Sequence, residues 1–555
     1  MYGALKRLRA HWPLAAVVLL VAIGVARIAS TYGVFWQTYD ESAHLAGGME
    51  WLDTPNHTLD DRPPPLAEIA VAVGPYLDGR RSTPFQGLGV WREGNEILAQ
   101  GGHYERTVAL ARAGVLPFFI LSAFLLWLWT RSFSSEFVAV LAVAIYTSLP
   151  IVLAHAGLAT TDMALAAMIT AYLVALVGTA DAPSTWRAVV LGACAGLALL
   201  AKLSALVFLP ACTVLVLAYF VLTHRQSAWT ASWLLRGVQL ACVALGIAVL
   251  VVWAGYRFST TPLAAFSPRA MGVLQQLFGA DLANAAFARM RVPAPAFIAG
   301  LRELIADNAA GRNNYFFGAV SHHGRLSYFP VAILVKTPIA VLLLTAAGLA
   351  AAVGGKVRNW QARLPALLSV ALLVCVLPSN INIGLRHLLP MFPLVAIVAA
   401  AGAQWLMERR GGTRSMVAVG ALVAWFAASS ARAHPDYLAY FNEIAGSHPE
   451  RIIVKGDLDW GQDLKRLTEL LRRARIDSVA LAYYGTADVA SLGPPSYVLG
   501  EKRPVTGWVA ISLGARFPSD YSWLDRYTPV TTVGKSIWLY HVPEPPRVVA
   551  AGLLR

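Results

Sequence analysis

Long apolar runs constrain this chain more than any other feature. A helix rises 1.5 Å per residue, so crossing the roughly 30 Å of a bilayer core takes about 20 mostly apolar residues. Such runs lie at roughly Pro13–Ala29, Val108–Trp129, Phe137–Leu153, Met163–Val177, Ala188–Ala201, Leu203–Leu222, Val238–Trp253, Phe329–Val353, Pro365–Leu377, Leu388–Leu406 and Met416–Ala431. They predict about 11 transmembrane helices. Only 14% of the 555 residues are charged, well short of the roughly 25% usual in a soluble domain. The fifth and sixth runs are separated only by Lys202, which makes that boundary the least defined.

The basic residues orient the chain. Cytoplasmic loops of membrane proteins are enriched in Lys and Arg. With the N-terminus inside, the inner segments hold Lys6, Arg7 and Arg9, then Arg131, Arg187, Arg225 with Arg236, Lys356 with Arg358 and Arg363, and Arg409, Arg410 and Arg414. Every inner loop agrees. The net charge of +14 is thus assigned to the inner face and does not imply nucleic acid. The first run follows basic residues as a signal peptide does. It is long, and no small-residue cleavage site precedes Tyr32, so it reads as an uncleaved span. Cys194, Cys212, Cys242 and Cys375 all lie in apolar runs, so no disulfide framework is expected.

Three outer regions remain: two loops at about 31–106 and 256–327, and a C-terminal region, 434–555. The first loop is too long for a plain connection. Its segments Glu41–Leu52 and Pro65–Leu77 read as short amphipathic helices, the second opened by prolines. The C-terminal region changes character. Arg451–Val454, Val479–Tyr484, Trp508–Leu513 and Ser536–His541 read as strands, and Gly461–Arg473 as a helix capped by Asp459. Residues 1–433 therefore form a transmembrane unit and 434–555 a small outer α/β domain.

Ionisable residues at the ends of spans carry the functional signal. Asp40 and Glu41 follow the first span in Thr38-Tyr39-Asp40-Glu41-Ser42-Ala43-His44. Paired carboxylates there can serve as general base, metal ligand or binder of substrate hydroxyls. Equally, Asp40 can cap the helix that follows. Asp162, at the lip of the fourth span, is costly there unless satisfied. Capping is again the structural alternative. On this topology both acids share the outer face. Lys336, about 12 Å into the eighth run at 1.5 Å per residue, needs a partner, and a lipid phosphate suits it. Snorkelling is the alternative. Arg386 and His387 open the tenth span on the outer side, where Arg is uncommon. Lys202 is a further cation of this kind. His44, Arg62 before Pro63-Pro64-Pro65, and Asp459, Gln462 and Asp463 in Asp457-Leu458-Asp459-Trp460-Gly461-Gln462-Asp463-Leu464 are candidate substrate contacts. There is no zinc-spaced His/Cys cluster, no phosphate loop and no Gly-x-Ser-x-Gly.

These motifs, in this order, resemble the GT-C superfamily of lipid-phosphate-sugar-dependent glycosyltransferases. The nearest branch is that of bacterial relatives of the protein O-mannosyltransferases and the lipid A aminoarabinose transferase. The resemblance covers most of the chain: Asp-Glu after the first span, the proline turn, Asp162, Tyr-Phe-Pro…Lys-Thr-Pro, and Asn-x-Gly-x-Arg-His-x-x-Pro. It implies an enzyme of the outer face of a bacterial inner membrane. Such an enzyme takes a sugar from a polyprenyl phosphate (undecaprenyl-phosphate type) and passes it to a protein or a lipid/glycan acceptor. Asp40 would then be the catalytic acid or base, Glu41 its neighbour, and Asp162 the second acidic position. Arg62 stands where a His is more usual. Some members use a divalent metal and others do not, so the cofactor stays open, with Asp40 and Asp162 as ligands if a metal is used. Two other classes compete: a transporter of polyprenyl-linked sugars or lipids, and a non-catalytic assembly subunit. A transporter would place its ionisable residues near the midplane of broken spans.

Overall fold

The computed structural model describes residues 2–54, 59, 63–82, 89–224, 231–287, 289–354, 359–492, 496–500, 503–517 and 521–543. Every apolar run is helical, because backbone in hydrocarbon must satisfy its own hydrogen bonds. Among the described residues, seven helices are long and apolar enough to cross a membrane: Trp12–Ala29, Tyr104–Phe133, Asp162–Asp181, Ala205–Thr223, Ser232–Gly255, Leu385–Arg409 and Thr413–Arg432. Two further candidates are bent helix pairs. Glu136–Tyr146 meets Pro150–Ala156 at 62°, and Tyr328–Lys336 meets Ile339–Gly354 at 117°. The expected fifth and ninth spans are shorter apolar helices, Thr185–Ala201 and Trp360–Val376. The chain is a multi-pass membrane protein.

Both bends have one cause. Proline lacks a backbone donor and forces the residue before it into an extended conformation. Leu149, before Pro150, has ψ 124°, and Thr337, before Pro338, has ψ 132°. The eighth run is therefore no straight span, which corrects the expectation for Phe329–Val353. Lys336 closes a nine-residue helix at the break.

The outer helices form as expected at Glu41–Asp53 and Pro65–Leu77. They pack in direct backbone contact. A Cβ on Gly48 would fall 2.0 Å from the carbonyl oxygen of Glu68, so only glycine fits there.

The C-terminal domain is a five-stranded sheet. Its strands are β1 (Val479–Ala482), β2 (Ser496–Val498), β3 (Gly507–Ser512), β4 (Thr531–Val533) and β5 (Ile537–Val542). The order is β2-β1-β3-β5-β4, with β1 parallel to β2 and β3, and β5 antiparallel to β3 and β4. Side chains alternate across it. Val479 and Leu481 meet the helix Leu464–Arg473 through Leu464, Leu467 and Leu471. Ala480 and Ala482 lie on the other face with Val509, Ile511 and Tyr540. Two expectations fail here. Arg451–Val454 is not a strand but the end of a 3-10 turn and the loop after it. The helix starts at Leu464, not Gly461, whose φ of +89° belongs to a turn.

The transmembrane unit inserts a side chain into this domain. Trp36 belongs to the buried cluster beneath the helix Leu464–Arg473 and stacks on Tyr104 at 3.8 Å. Trp36 N donates to Gln462 O (3.1 Å) and Tyr39 N to Trp460 O (2.9 Å). Trp36→Ala therefore removes a shared core residue, at a cost of about 3–5 kcal/mol. The expected result is a lowered unfolding temperature and faster protease cleavage of the C-terminal domain. Wild-type resistance in this variant would contradict the shared core.

Candidate active site

Adjacent in sequence, Asp40 and Glu41 face different partners. Glu41 is 3% exposed, and both of its oxygens are occupied. Arg112 Nε donates to Oε1 (2.8 Å) and Nη2 to Oε2 (2.9 Å). Ala159 N donates to Oε1 (2.8 Å), and the backbone and hydroxyl of Thr38 donate to Oε2. Arg112 also donates to the carbonyls of Tyr32, Phe35 and Trp36. Burial works against the charge, but Arg112 and these donors hold the Glu41 carboxyl below the usual carboxylate range. Glu41 thus ties the segment after the first span to the turn before Asp162. No oxygen is left for chemistry, which corrects its assignment beside Asp40 as a catalytic group.

Asp40 does not cap its helix: its side chain makes no capping hydrogen bond. Arg386 Nη1 donates to Asp40 Oδ2 at 2.7 Å instead. Burial opposes ionisation, yet Arg386 and then His44 keep the Asp40 carboxyl below its ordinary range. Asp162, 1% exposed, opens the helix Asp162–Asp181 without capping it. Lys202 Nζ donates to Asp162 Oδ1 at 2.5 Å, while Oδ2 lies 3.8 Å from Arg386 Nη1. Four groups therefore form a row of alternating sign: Asp40, Arg386, Asp162, Lys202. All lie beyond or at helix ends. Lys202 follows the helix Thr185–Ala201, and Arg386 stands in the 3-10 turn Leu385–Met391. From the sequence, Asp40 and Asp162 share a face and Arg386 and Lys202 are candidate phosphate-binding cations; the ion pairs that join the four emerge only in the structure.

The row has a floor and a wall. The Arg386 guanidinium lies over the Trp460 ring, 4.1 Å from its centroid, an arrangement that stabilises the cation through the ring quadrupole. His155 meets that ring edge-on at 6.1 Å. Several buried atoms here have no hydrogen-bond partner among the described residues: both ring nitrogens of His155, Asp162 Oδ2, Arg386 Nε and His387 Nε2. An unpaired buried polar atom costs about 1–3 kcal/mol. Such a gathering suits a polar ligand. Sequence reasoning missed His155 and Trp460, although Trp460 stands in a motif it singled out.

The other candidates are placed differently. Lys336 finds its partners within the protein, donating to the carbonyls of Leu438 (2.6 Å) and Asp457 (2.5 Å) with its charge over Phe441. It fastens the bend to the C-terminal region, so the expected need for a lipid phosphate is met otherwise. Asp459, Gln462 and Asp463 are buried and staple a turn. Asp459 accepts from Gly461 N (2.9 Å) and Gly514 N (2.7 Å). Gln462 accepts from Trp460 N and donates to Leu458 O. Asp463 accepts from Lys535 N, Ser536 N and Ser536 Oγ. These three were expected to touch substrate. They instead seat Trp460 beneath Arg386. His44 is buried, with Nδ1 3.3 Å from Glu68. Arg62 lies outside the described residues.

A divalent metal does not fit the residues present. Asp40 and Asp162 could bridge one, but the Arg386 guanidinium already bridges them and Lys202 neutralises the second. Two cations against two carboxylates leave no net negative charge to hold a dication.

No family model and no curated protein sequence matches the chain. Solved structures do. ArnT from Cupriavidus metallidurans bound to undecaprenyl phosphate aligns over 95% of this chain and 99% of that one, with a TM-score of 0.51 at 14% identity. The chain has the GT-C fold. AglB, the oligosaccharyltransferase of Archaeoglobus fulgidus, in complex with an inhibitory peptide and a dolichol-phosphate, aligns over 91% of this chain and 70% of its own, with a TM-score of 0.49 at 13% identity. At these identities the likeness is one of fold.

The two neighbouring acids should respond unequally to neutralisation. Glu41→Gln breaks a buried pair and is expected to cost about 3–5 kcal/mol. Because the Glu41 pKa is depressed on folding, its contribution is present above the ordinary carboxylate range and lost as pH falls through the lowered value. Asp40→Asn, at a side chain 26% exposed and with Arg386 still beside Asp162, should cost less, about 1–2 kcal/mol. Thermal unfolding of the solubilised protein distinguishes them, and equal melting of both variants would contradict the division of roles.

Proposed function

We propose that the protein is a membrane glycosyltransferase. It transfers a sugar from a polyprenyl-phosphate donor of the undecaprenyl type to a protein or a lipid/glycan acceptor, at the outer face of a bacterial inner membrane. The observation that carries this reading is the row Asp40–Arg386–Asp162–Lys202, set at the ends of helices in a GT-C fold. The comparison structure's bound undecaprenyl phosphate supports the donor class. The N-terminus is cytoplasmic and the C-terminal domain periplasmic in this reading, as the basic inner loops require.

The chemistry follows from the charges. Lys202, Arg386 and His387 hold the donor phosphate. An acceptor hydroxyl or amine attacks the anomeric carbon and loses its proton to Asp40 Oδ1, the oxygen not engaged by Arg386. The bond between the anomeric carbon and the phosphate oxygen breaks, and the electron pair leaves on the phosphate. Arg386 and Lys202 stabilise that growing charge. As Arg386 turns toward the phosphate, its hold on Asp40 weakens and the carboxylate becomes a stronger base. A single displacement inverts the anomeric centre. The row at one set of helix ends also argues against a transporter, whose ionisable groups would sit near the midplane.

The test uses the full chain in nanodiscs with undecaprenyl-phosphate hexoses as donors and membrane glycolipid as acceptor. Asp40→Asn and Asp162→Asn should each lower transfer by about 10²-fold or more, the usual worth of a general base or of the group that orders the site. Millimolar chelator should leave the wild-type rate unchanged. Wild-type rates in both variants would sink the site assignment, and a folded wild type that uses no such donor would sink the transferase reading.

A further inference from the structure

A cleft of about 1120 Å³ opens between the C-terminal domain and the hairpin Asn314–Phe316/Ala319–Ser321. Nothing in the proposed chemistry uses it. Four of its lining rings form a continuous row. Tyr315 and Phe517 are 5.3 Å apart, Phe517 and Trp538 6.3 Å, and Trp538 and Tyr540 6.4 Å. The row follows from local structure: Trp538 and Tyr540 are two apart on β5 and so share a face. Phe517 and Trp538 keep part of their rings open, and Phe317 at the rim is 58% exposed. Open ring faces are negative at their centres and attract polarised C–H groups. The C–H faces of pyranose rings are such groups.

The charges narrow the occupant. Arg516 pairs with Asp525, and His448 lies 3.0 Å from Glu450. Arg451 and Lys535 line the same cleft, are exposed, and make no ion pair among the described residues. The buried Nε of Arg516 has no partner there either. Three cations, Arg451, Lys535 and Arg516, against two carboxylates, Glu450 and Asp525, leave a net positive charge that favours an anionic ligand, and guanidinium forks suit carboxylate or phosphate substituents.

The inner end of the cleft reaches the reaction centre's scaffold. Leu458 and Leu513 line it. Leu458 precedes Asp459, and the residue after Leu513, Gly514, donates to Asp459 in the turn that seats Trp460 under Arg386. Phe441, also in the lining, carries the Lys336 charge. We propose that this cleft binds the acceptor, and that the acceptor presents an acidic saccharide to it. This rests on the transferase reading and names the acceptor class for that same site.

The test is calorimetric, on the full chain in nanodiscs, with tetragalacturonate as acidic saccharide, maltotetraose as neutral saccharide and an acidic decapeptide as competitor class. Undecaprenyl phosphate is titrated in parallel to report on the Arg386 row. Tetragalacturonate should bind about 10-fold more tightly than maltotetraose. Arg451→Glu, Lys535→Glu and Phe317→Ala, all at exposed positions, should each weaken it by about 5-fold while leaving lipid-phosphate binding unchanged. Absent saccharide binding, unchanged affinity in the variants, or binding of the peptide alone would each overturn the inference while lipid-phosphate binding persists. Loss of lipid-phosphate binding in the wild type would instead defeat the transferase reading.

Discussion

A guanidinium held between two carboxylates organises this molecule. Arg386 joins Asp40, on the outer helix after the first span, to Asp162, at the head of another span, and Lys202 closes the row. Charges taken out of water are costly unless paired. Each member of the row is therefore tolerable only while the others are in place. The four come from separate segments, so folding must assemble them together. The same alternation gives the site its chemical range. In the proposed reaction, a phosphate that draws on Arg386 and Lys202 frees the acid beside them to accept a proton.

Much of the surrounding structure holds this row in register. The buried Glu41–Arg112 pair fixes the chain on either side of Asp40 and reaches the turn before Asp162 through Ala159. From the opposite direction, Asp459, Gln462 and Asp463 shape the turn whose Trp460 lies under Arg386. Trp36 and Tyr39 hydrogen-bond to that turn, and Trp36 enters the core of the sheet domain. The C-terminal domain is therefore part of the site's construction and not an appendage over it.

The sequence singled out the members of the row, though not their pairing, because charge at the edge of an apolar run is rare enough to be informative. Asp40, Asp162, Lys202 and Arg386 all stood out on that ground. The same rule misjudged Lys336. Reading Phe329–Val353 as straight hid the break at Thr337-Pro338, which delivers protein carbonyls to the ammonium. Glu41 looked equivalent to Asp40, since pattern cannot show that Arg112, 71 residues on, claims it. The acids of the Asp-Trp-Gly-Gln-Asp segment looked like surface ligands because a turn stapled by backbone amides has no periodic signal. His155 stayed hidden for the opposite reason: a lone histidine in an apolar stretch reads as core until its unpaired nitrogens are seen beside charges. The straight spans and the strands β1, β3 and β5 were legible because their periods are set by burial.

The central claim is that the row is where a lipid-linked phosphate binds. An experimental structure of the full chain in nanodiscs with undecaprenyl phosphate tests it most directly. The account predicts phosphate oxygens within hydrogen-bond distance of both Lys202 and Arg386, with Arg386 withdrawn from Asp40. A phosphate bound elsewhere, with the Asp40–Arg386 contact intact, would contradict it.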